Sequence, residues 1–521
     1  MFSKIQSACN LGRLAEALKL LSSNPTRLDP SLYLKILQLC IDKKAKKQGH
    51  LIHTHLITNG FGSDLHLNTK LIIFYVKVGD VIAARNVFDG MPERSVVSWT
   101  AMVSGYSQNG RFEKAFVLFS DMRHCGVKAN QFTYGSALRA CTSLRCLDMG
   151  IQVQGCIQKG RFVENLFVKS ALVDFHSKCG KMEDASYLFG TMMERDVVSW
   201  NAMIGGYAVQ GFADDSFCMF RSMLRGGLVP DCYTLGSVLR ASAEGGGLII
   251  ANQIHGIITQ LGYGSYDIVT GLLINAYAKN GSLRSAKDLR KGMLKKDLFS
   301  STALITGYAH EGIYSVDALD LFKEMNQMNI GMDDVILCSM LNICANLASF
   351  ALGTQIHAFA LKYQPSYDVA MGNALIDMYA KSGEIEDAKR AFDEMEEKNV
   401  ISWTSLISGY AKHGHTGLTA EGCECFNNMV NKYNISPELS IILACIYGYM
   451  SLGKEAASNL FNMQPENSVN YVVLASIYSA AGLWDDAWKI RKLMEERSTK
   501  KNAGYSFFQA TKKSIPLLQA S

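Results

Sequence analysis

Eleven histidines and fourteen cysteines are the residues of this chain best equipped for chemistry. A zinc-dependent base deaminase needs a His-x-Glu, whose glutamate moves protons, and a Cys-x-x-Cys to complete the metal shell. No histidine here is followed two positions later by glutamate, and no Cys-x-x-Cys occurs; Cys423-x-Cys425 is the nearest approach. A P-loop, a Gly-x-Ser-x-Gly elbow and a dinucleotide fingerprint are also missing from the sequence. The expectation is a chain with no catalytic residue, no metal and no cofactor, and so not an enzyme.

The other polar residues with a regular spacing belong to one phrase that occurs four times. It reads SVVSWTAMVSGYSQNG from Ser95, DVVSWNAMIGGYAVQG from Asp196, DLFSSTALITGYAHEG from Asp297 and NVISWTSLISGYAKHG from Asn399. Trp99, Trp200, Ser301 and Trp403 occupy the same place in it, at spacings of 101, 101 and 102 residues. Self-similarity at a fixed period marks a repeat architecture. Each period divides into three pieces, such as 96–130, 131–165 and 166–196, and each piece holds two stretches with apolar residues three and four apart. In the first of these pieces the stretches are Val97, Trp99, Met102, Val103 and Tyr106, then Phe112, Ala115, Phe116, Leu118, Phe119 and Met122, with Gln108-Asn109-Gly110 as the break. A pair of short helices cannot bury both apolar faces alone, whereas stacked pairs can. The fold class predicted is therefore all-α, a right-handed α-solenoid superhelix of helix-turn-helix repeats of 31–36 residues.

Bulk composition fits this reading. With 48% apolar and 19% charged residues the chain can bury a long core, and its net charge of +5 permits nucleic acid as a partner without demanding it. No run of 18 uncharged apolar residues occurs, so no membrane partner is expected. The cysteines read as buried thiols, Cys40, Cys141 and Cys344 at equivalent places. His53, His55, His255 and His357 recur on one type of helix and read as packing or helix-end residues, and Trp99, Trp200 and Trp403 as core ridges between repeats. The basic run Lys43-Lys44-Ala45-Lys46-Lys47 is either a solvated turn or a phosphate contact, and Gly245-Gly246-Gly247 fits a turn between helices.

VVSWNAMIGGY and GNALIDMYAKSGEIEDAKRAFDEM are close to the consensus of plant pentatricopeptide repeats, and the alternation of pieces resembles the P, L and S order of the PLS subfamily. The resemblance covers nearly the whole chain. It implies an RNA-binding solenoid of mitochondria, or alternatively of chloroplasts, of the kind that specifies a cytidine for C-to-U RNA editing. In that family a base is read by the fifth residue of a repeat's first helix together with the repeat's last residue. Carried onto this chain, the pairs are Thr69/Ser95, Thr100/Asn130, Ser170/Asp196, Asn201/Asp231, Thr302/Asp333 and Asn373/Asn399. They favour A, A, G, U, G and a pyrimidine, with the RNA running 5′ to 3′ along the chain. Short polar side chains of two adjoining repeats would meet the edge of one unstacked base. Gly271/Asp297 lacks a fifth-position hydrogen-bonding group, and Gly135, Gly236 and Cys338 of the L-type pieces are assigned no base. The alternative use of any such Thr or Asn is a helix cap or a solvent contact.

By these signals residues 1–30 form a degenerate first repeat, 31–399 the repeat array, 400–469 a disrupted repeat with a partial extension motif, 470–508 an E-like extension and 509–521 a tail. The E-type resemblance, without a DYW deaminase domain, implies single-stranded organellar RNA and a deaminase or other editing protein acting in trans as partners. A protein-binding helical-repeat scaffold and an inactive truncated isoform are the competing readings.

Overall fold

The computed structural model describes residues 2–22, 29–363, 368–412, 419–433, 475, 478–479 and 484–496. The chain divides into two compact units, Met1–Leu294 and Lys295–Ser521. Each is built of paired α-helices, and among the described residues there is no β-strand. In the first unit the first helices of successive repeats, Leu65–Lys77, Val96–Gln108, Gln131–Leu144, Leu166–Lys178, Val197–Val209, Cys232–Ala241 and Asp267–Lys279, pack one on the next as a single layer. The second unit repeats the arrangement with Leu298–Glu311, Asp334–Asn346, Val369–Lys381 and Val400–Lys412. Second helices such as Phe112–His124 pack on their own first helix and on the next one, which closes the core between repeats. This is an all-α solenoid, with neighbour-to-neighbour burial in place of one central core.

Local chemistry accounts for the element boundaries. Side chains of Asp64, Ser95, Asn130, Asn165, Asp196, Asp231, Asp297, Asp333 and Asp368 each accept the backbone N–H three residues on, capping the first helices. Between the two helices of a repeat, Gly110 (φ +72°) and Gly211 (φ +81°) take the left-handed conformation that ends the helix, 101 residues apart. The 31-residue pieces are short because their second helices, Val81–Asp89 and Met182–Gly190, have 9 residues where Phe112–His124 has 13. The difference is one helical turn.

The recurring aromatic and titratable residues are structural. Trp99, Trp200 and Trp403 are 4%, 9% and 3% exposed. Each stands edge-on to a phenylalanine of the preceding helix, Phe88, Phe189 or Phe392, at centroid distances of 4.8, 4.9 and 4.6 Å. Arg94, Arg195 and Lys398 lie over the rings of those phenylalanines at 4.8, 4.8 and 5.1 Å. His53, His255 and His357 bond the hydroxyls of Tyr75, Tyr277 and Tyr379, each 22 residues on, at 2.8, 2.9 and 2.7 Å. His55 bonds Tyr33 at 2.8 Å. Burial pushes the pKa of all four histidines below its ordinary value. It pushes the thiols of Cys40, Cys141 and Cys344 up to about 11, 12 and 11, so they pack as small apolar groups. The helices also approach closely where glycine permits it: a Cβ on Gly150 would lie 1.9 Å from the buried ring of Phe175.

Two expectations are refined. The glycine run at 245–247 does not simply separate helices; Ser242–Gly246 forms a π-helical turn continuing Cys232–Ala241, and the chain breaks at Gly247 (φ +69°). The basic run is divided, with Lys44 in the turn (φ +48°) and Lys46 opening the next helix and pairing with Asp80 at 3.0 Å. Of the stretch 400–469, helices Val400–Lys412 and Thr419–Asn427 are described. Residues 413–418 and 434–469, the side chain of Cys423, most of the E-like extension and the tail lie outside the described residues.

Candidate nucleic-acid interface

The twelve residues assigned from the sequence lie on or at the start of first helices, eight in the first unit and Thr302, Asp333, Asn373 and Asn399 in the second, and two physical patterns govern them. Every last residue is the N-cap of the following repeat's first helix. Ser95 accepts from the Ser98 N–H at 3.2 Å, Asn130 from Thr133 at 2.9 Å and Asp196 from Ser199 at 2.9 Å. Asp231 accepts from Thr234 at 2.8 Å, Asp333 from Ile336 at 2.9 Å and Asn399 from Ser402 at 3.0 Å. The fifth residues with hydroxyls also bond their own helix. Thr69, Thr100, Ser170 and Thr302 donate to the carbonyls of Leu65, Val96, Leu166 and Leu298, four residues back, at 2.7, 2.7, 2.9 and 2.9 Å. The cap use weighed against base reading is therefore realised at every last residue, and it engages only part of each side chain's hydrogen-bonding capacity.

Four of the six pairs are joined. Asn201 Nδ2 donates to both carboxylate oxygens of Asp231, at 3.1 and 3.2 Å, while its Oδ1 accepts the hydroxyl of Thr234 at 2.5 Å. Thr234 also lies 2.9 Å from Asp231 Oδ1. Burial raises the Asp231 pKa, but the hydrogen bonds from Thr234 and Asn201 outweigh it and hold the carboxyl below its ordinary value. Asn373 repeats the arrangement: its Nδ2 donates to Asn399 Oδ1 at 3.3 Å, and its Oδ1 accepts from Ser402 at 2.6 Å. Thr100 reaches Asn130 through Thr133, whose Oγ1 lies 2.7 Å from Thr100 Oγ1 and 2.9 Å from Asn130 Oδ1. Thr302 meets Asp333 directly but loosely, at 3.4 Å. Among the described residues no hydrogen bond joins Thr69 to Ser95 or Ser170 to Asp196.

Sequence reasoning missed a set of residues three positions before the fifth. Val97, Phe132, Phe167, Val198, Tyr233, Ile268, Phe299, Val335 and Ile401 are large, apolar and exposed. There is one on each first helix from Val96–Gln108 to Val400–Lys412 except Val369–Lys381, where Ala370 takes the place. Their signal in the sequence is an apolar residue off the buried stripe at the same repeat position. A ladder of this kind exposes flat or branched apolar surface three residues before Thr100, Ser170, Asn201 and Thr302, whereas His66 and Ala370 take that place before Thr69 and Asn373. Lys77, Lys178, Lys279 and Lys381, in the last turn of equivalent helices, add a cation at every third repeat. Lys178 and Lys381 are held by Asp174 and Asp377 at 2.8 and 2.7 Å. Among the described residues no group of three or more His, Cys, Asp or Glu side chains could hold a metal, and no helix is long and apolar enough to cross a membrane.

Comparisons with known proteins agree with this architecture. A family model described as PPR repeat family matches residues 94–143 and 195–244, and the PPR repeat model matches 168–197, 270–298, 373–400 and 401–433. An E motif model matches 447–509. The chain is 45% identical to a pentatricopeptide repeat-containing protein of Arabidopsis thaliana over 92% of its own length and 98% of that protein. It is 29% identical to one named mitochondrial, covering 94% of this chain and 81% of that one. To one named chloroplastic it is 33% identical, covering 74% and 62%. Among solved structures it resembles the pentatricopeptide repeat protein PPR10 from maize, with a TM-score of 0.57, 16% identity and coverage of 96% of this chain and 84% of that one. The structure of PPR10 in complex with an 18-nt psaJ RNA element matches with a TM-score of 0.53 at 17% identity, covering 95% and 88%.

Proposed function

The chain belongs to the pentatricopeptide repeat family, and from that premise we propose that it is a sequence-specific single-stranded RNA-binding protein of a plant organelle. The observation that carries the reading is the repeated junction itself. A polar fifth residue lies on the same layer as the polar residue that ends its repeat, and a large exposed apolar residue stands three positions before Thr100, Ser170, Asn201 and Thr302. Unstacked bases are held by this combination, apolar groups against their faces and short polar groups against their edges. One base per repeat turns the six pairs into a spaced series: A, A, any, G, U, any, any, G, any, pyrimidine. Lys77 and Lys279 supply positive charge to the phosphates, whereas the charges of Lys178 and Lys381 are already met by Asp174 and Asp377.

The finer function is selection of a cytidine for C-to-U editing, with a deaminase delivered in trans through the E motif. The E motif match at 447–509 supports it. The organelle is the mitochondrion in this reading, with the chloroplast as the other outcome. The test is crosslinking of the tagged protein to RNA in isolated plant organelles, followed by sequencing and by editing assays in a knockout. Enrichment of transcripts carrying the series near a cytidine that loses editing supports the proposal. Bound RNA with no such series, or unchanged editing, contradicts it.

A further inference from the structure

Three hydroxyls at the repeat junctions carry an inference about how the code residues are set, and it rests on the base-reading function proposed above. We propose that the third residue of the following repeat, Thr133, Thr234 or Ser402, is a positioning residue for base discrimination. It fixes which hydrogen-bonding groups the fifth residue presents to the RNA.

The argument is clearest at Asn201. A carboxamide can face its surroundings in two ways that exchange donor and acceptor. Here the Asp231 carboxylate takes Nδ2, and the Thr234 hydroxyl lies against Oδ1 at 2.5 Å. The flipped amide would set its oxygen against the carboxylate and its N–H₂ against the threonine hydroxyl. Thr234 is 0% exposed, as are Thr133 and Ser402, so none of the three hydroxyls touches a base; each acts through the pair it adjoins, whose surface is small, Asn201 being 7% exposed while Asp231 is open to solvent. With one hydrogen of Nδ2 and one lone pair of Oδ1 engaged, Asn201 has one donor and one acceptor left for the RNA, in a fixed order. Asn373 is held in the same way by Asn399 and Ser402, at 3.3 and 2.6 Å. At Thr100 the hydroxyl donates to the Val96 carbonyl at 2.7 Å, and the Thr133 hydroxyl, 2.7 Å away and 2.9 Å from Asn130, takes one of its two lone pairs, leaving one acceptor for the RNA.

The same chain contains junctions without the bridge. Ile336 stands at the corresponding place beside Thr302/Asp333, where the direct contact is only 3.4 Å. Ser98 and Ser199 turn their hydroxyls to the carbonyls of Ser95 and Asp196, at 2.9 and 2.8 Å, and bridge nothing. The bridged junctions, at Thr100, Asn201 and Asn373, should therefore distinguish bases more sharply than those at Thr69, Ser170 and Thr302.

The test uses the full chain and a synthetic single-stranded RNA carrying the series, varied through all four nucleotides at one position at a time. Thr234→Val removes the hydroxyl at nearly constant volume and leaves Asp231 to cap the helix through the backbone N–H. It should reduce the preferred-to-disfavoured affinity ratio opposite Asn201/Asp231 by about 5-fold, the equivalent of one net hydrogen bond, with ratios elsewhere unchanged. Thr234→Ser should restore the ratio. Ile336→Thr should raise the ratio opposite Thr302/Asp333 by a similar factor. A wild-type ratio in Thr234→Val, or an equal loss for every RNA, overturns the proposal while base reading stands. Should Thr234→Val fail to fold, Ile336→Thr decides alone, and an unchanged ratio there overturns it. Wild-type protein that distinguishes no nucleotide at any junction overturns base reading itself.

Discussion

Asn201→Thr is the substitution whose outcome the geometry specifies most fully. It removes the two hydrogen bonds from Nδ2 to Asp231, at 3.1 and 3.2 Å, and the acceptor that meets Thr234 at 2.5 Å. The chain already shows what a threonine does at this place. Thr302, also followed by an aspartate, bonds the carbonyl four residues back at 2.9 Å and reaches Asp333 at 3.4 Å. The variant should adopt that arrangement, so the recovered back-bond offsets part of the loss. A hydrogen bond to a charged acceptor is worth about 1.5–3 kcal/mol and a neutral one about 1; with the two carboxylate contacts of Nδ2 counted as one shared bond and the back-bond replacing the neutral one, the net destabilisation is about 1.5–3 kcal/mol. The base preference should change from U to G, as at Thr302/Asp333. Good base contacts discriminate by about 1–3 kcal/mol, so the ratio of G to U affinity should move by roughly 5- to 150-fold. Fluorescence anisotropy with four RNAs differing at the fifth position of the series measures the ratio directly. Thermal melting monitors the fold alongside. Uniform weakening toward all four RNAs would refute the reasoning and assign Asn201 a purely structural role.

Three further outcomes follow from packing, titration and domain layout. Gly150→Ala would put a Cβ 1.9 Å from the buried Phe175 ring, so it should destabilise by about 1–3 kcal/mol despite alanine's better helix propensity, whereas Gly155→Ala, with nothing within 4 Å, should stabilise by up to about 1 kcal/mol; equal melting points for the two variants would contradict the close-approach account. His53, His255 and His357 have folded pKa values below the ordinary 6.5 because burial favours the neutral ring, so the folded chain binds fewer protons than the unfolded one. Stability should therefore fall as pH drops from 6.5 toward the folded values, and His255→Gln with His357→Gln, a change suggested by the natural Gln154–His176 pair at 3.0 Å, should flatten that slope in melting curves; an unchanged slope would remove the histidines as its cause. Truncation after Tyr433 keeps Ser402 on Asn373 and Trp403 on Phe392, so RNA affinity should persist while editing is lost. Each phosphate contact in the tail would contribute about 0.7 to the log–log salt slope, so a slope that falls by several such steps on truncation would make the tail part of the RNA surface.

The fold was legible because the solenoid is local: the 101-residue period, the helical spacing of apolar residues and the glycine turns all act within one or two repeats. The burial of Trp99, Trp200 and Trp403 followed from the same spacing, since each tryptophan lies on the apolar stripe. The histidine roles were legible only in outline, because the Tyr partner lies 22 residues away on another helix. The cap and base-reading uses of Ser95, Asn130 and Asp231 could be weighed from sequence but not separated, since both favour the same residue types; the structure shows the caps, and base reading is the proposal. The bridge at Thr234 was illegible: nothing in a threonine at the third helical position tells whether its hydroxyl faces its own cap, as in Ser199, or the previous repeat. Val97 was hidden for the opposite reason: it was placed with Trp99 and Met102 on the apolar stripe, although it faces solvent.

The central claim is that six residue pairs choose the RNA, and equilibrium selection by the purified full-length chain from a random single-stranded RNA pool measures it most directly. The account predicts enrichment of A, A, any, G, U, any, any, G, any, pyrimidine in that order and spacing, with no preference opposite Gly135, Gly236 or Cys338. Recovery of unselected sequence, or of a motif whose informative positions fall opposite those three residues instead of the six pairs, would contradict it.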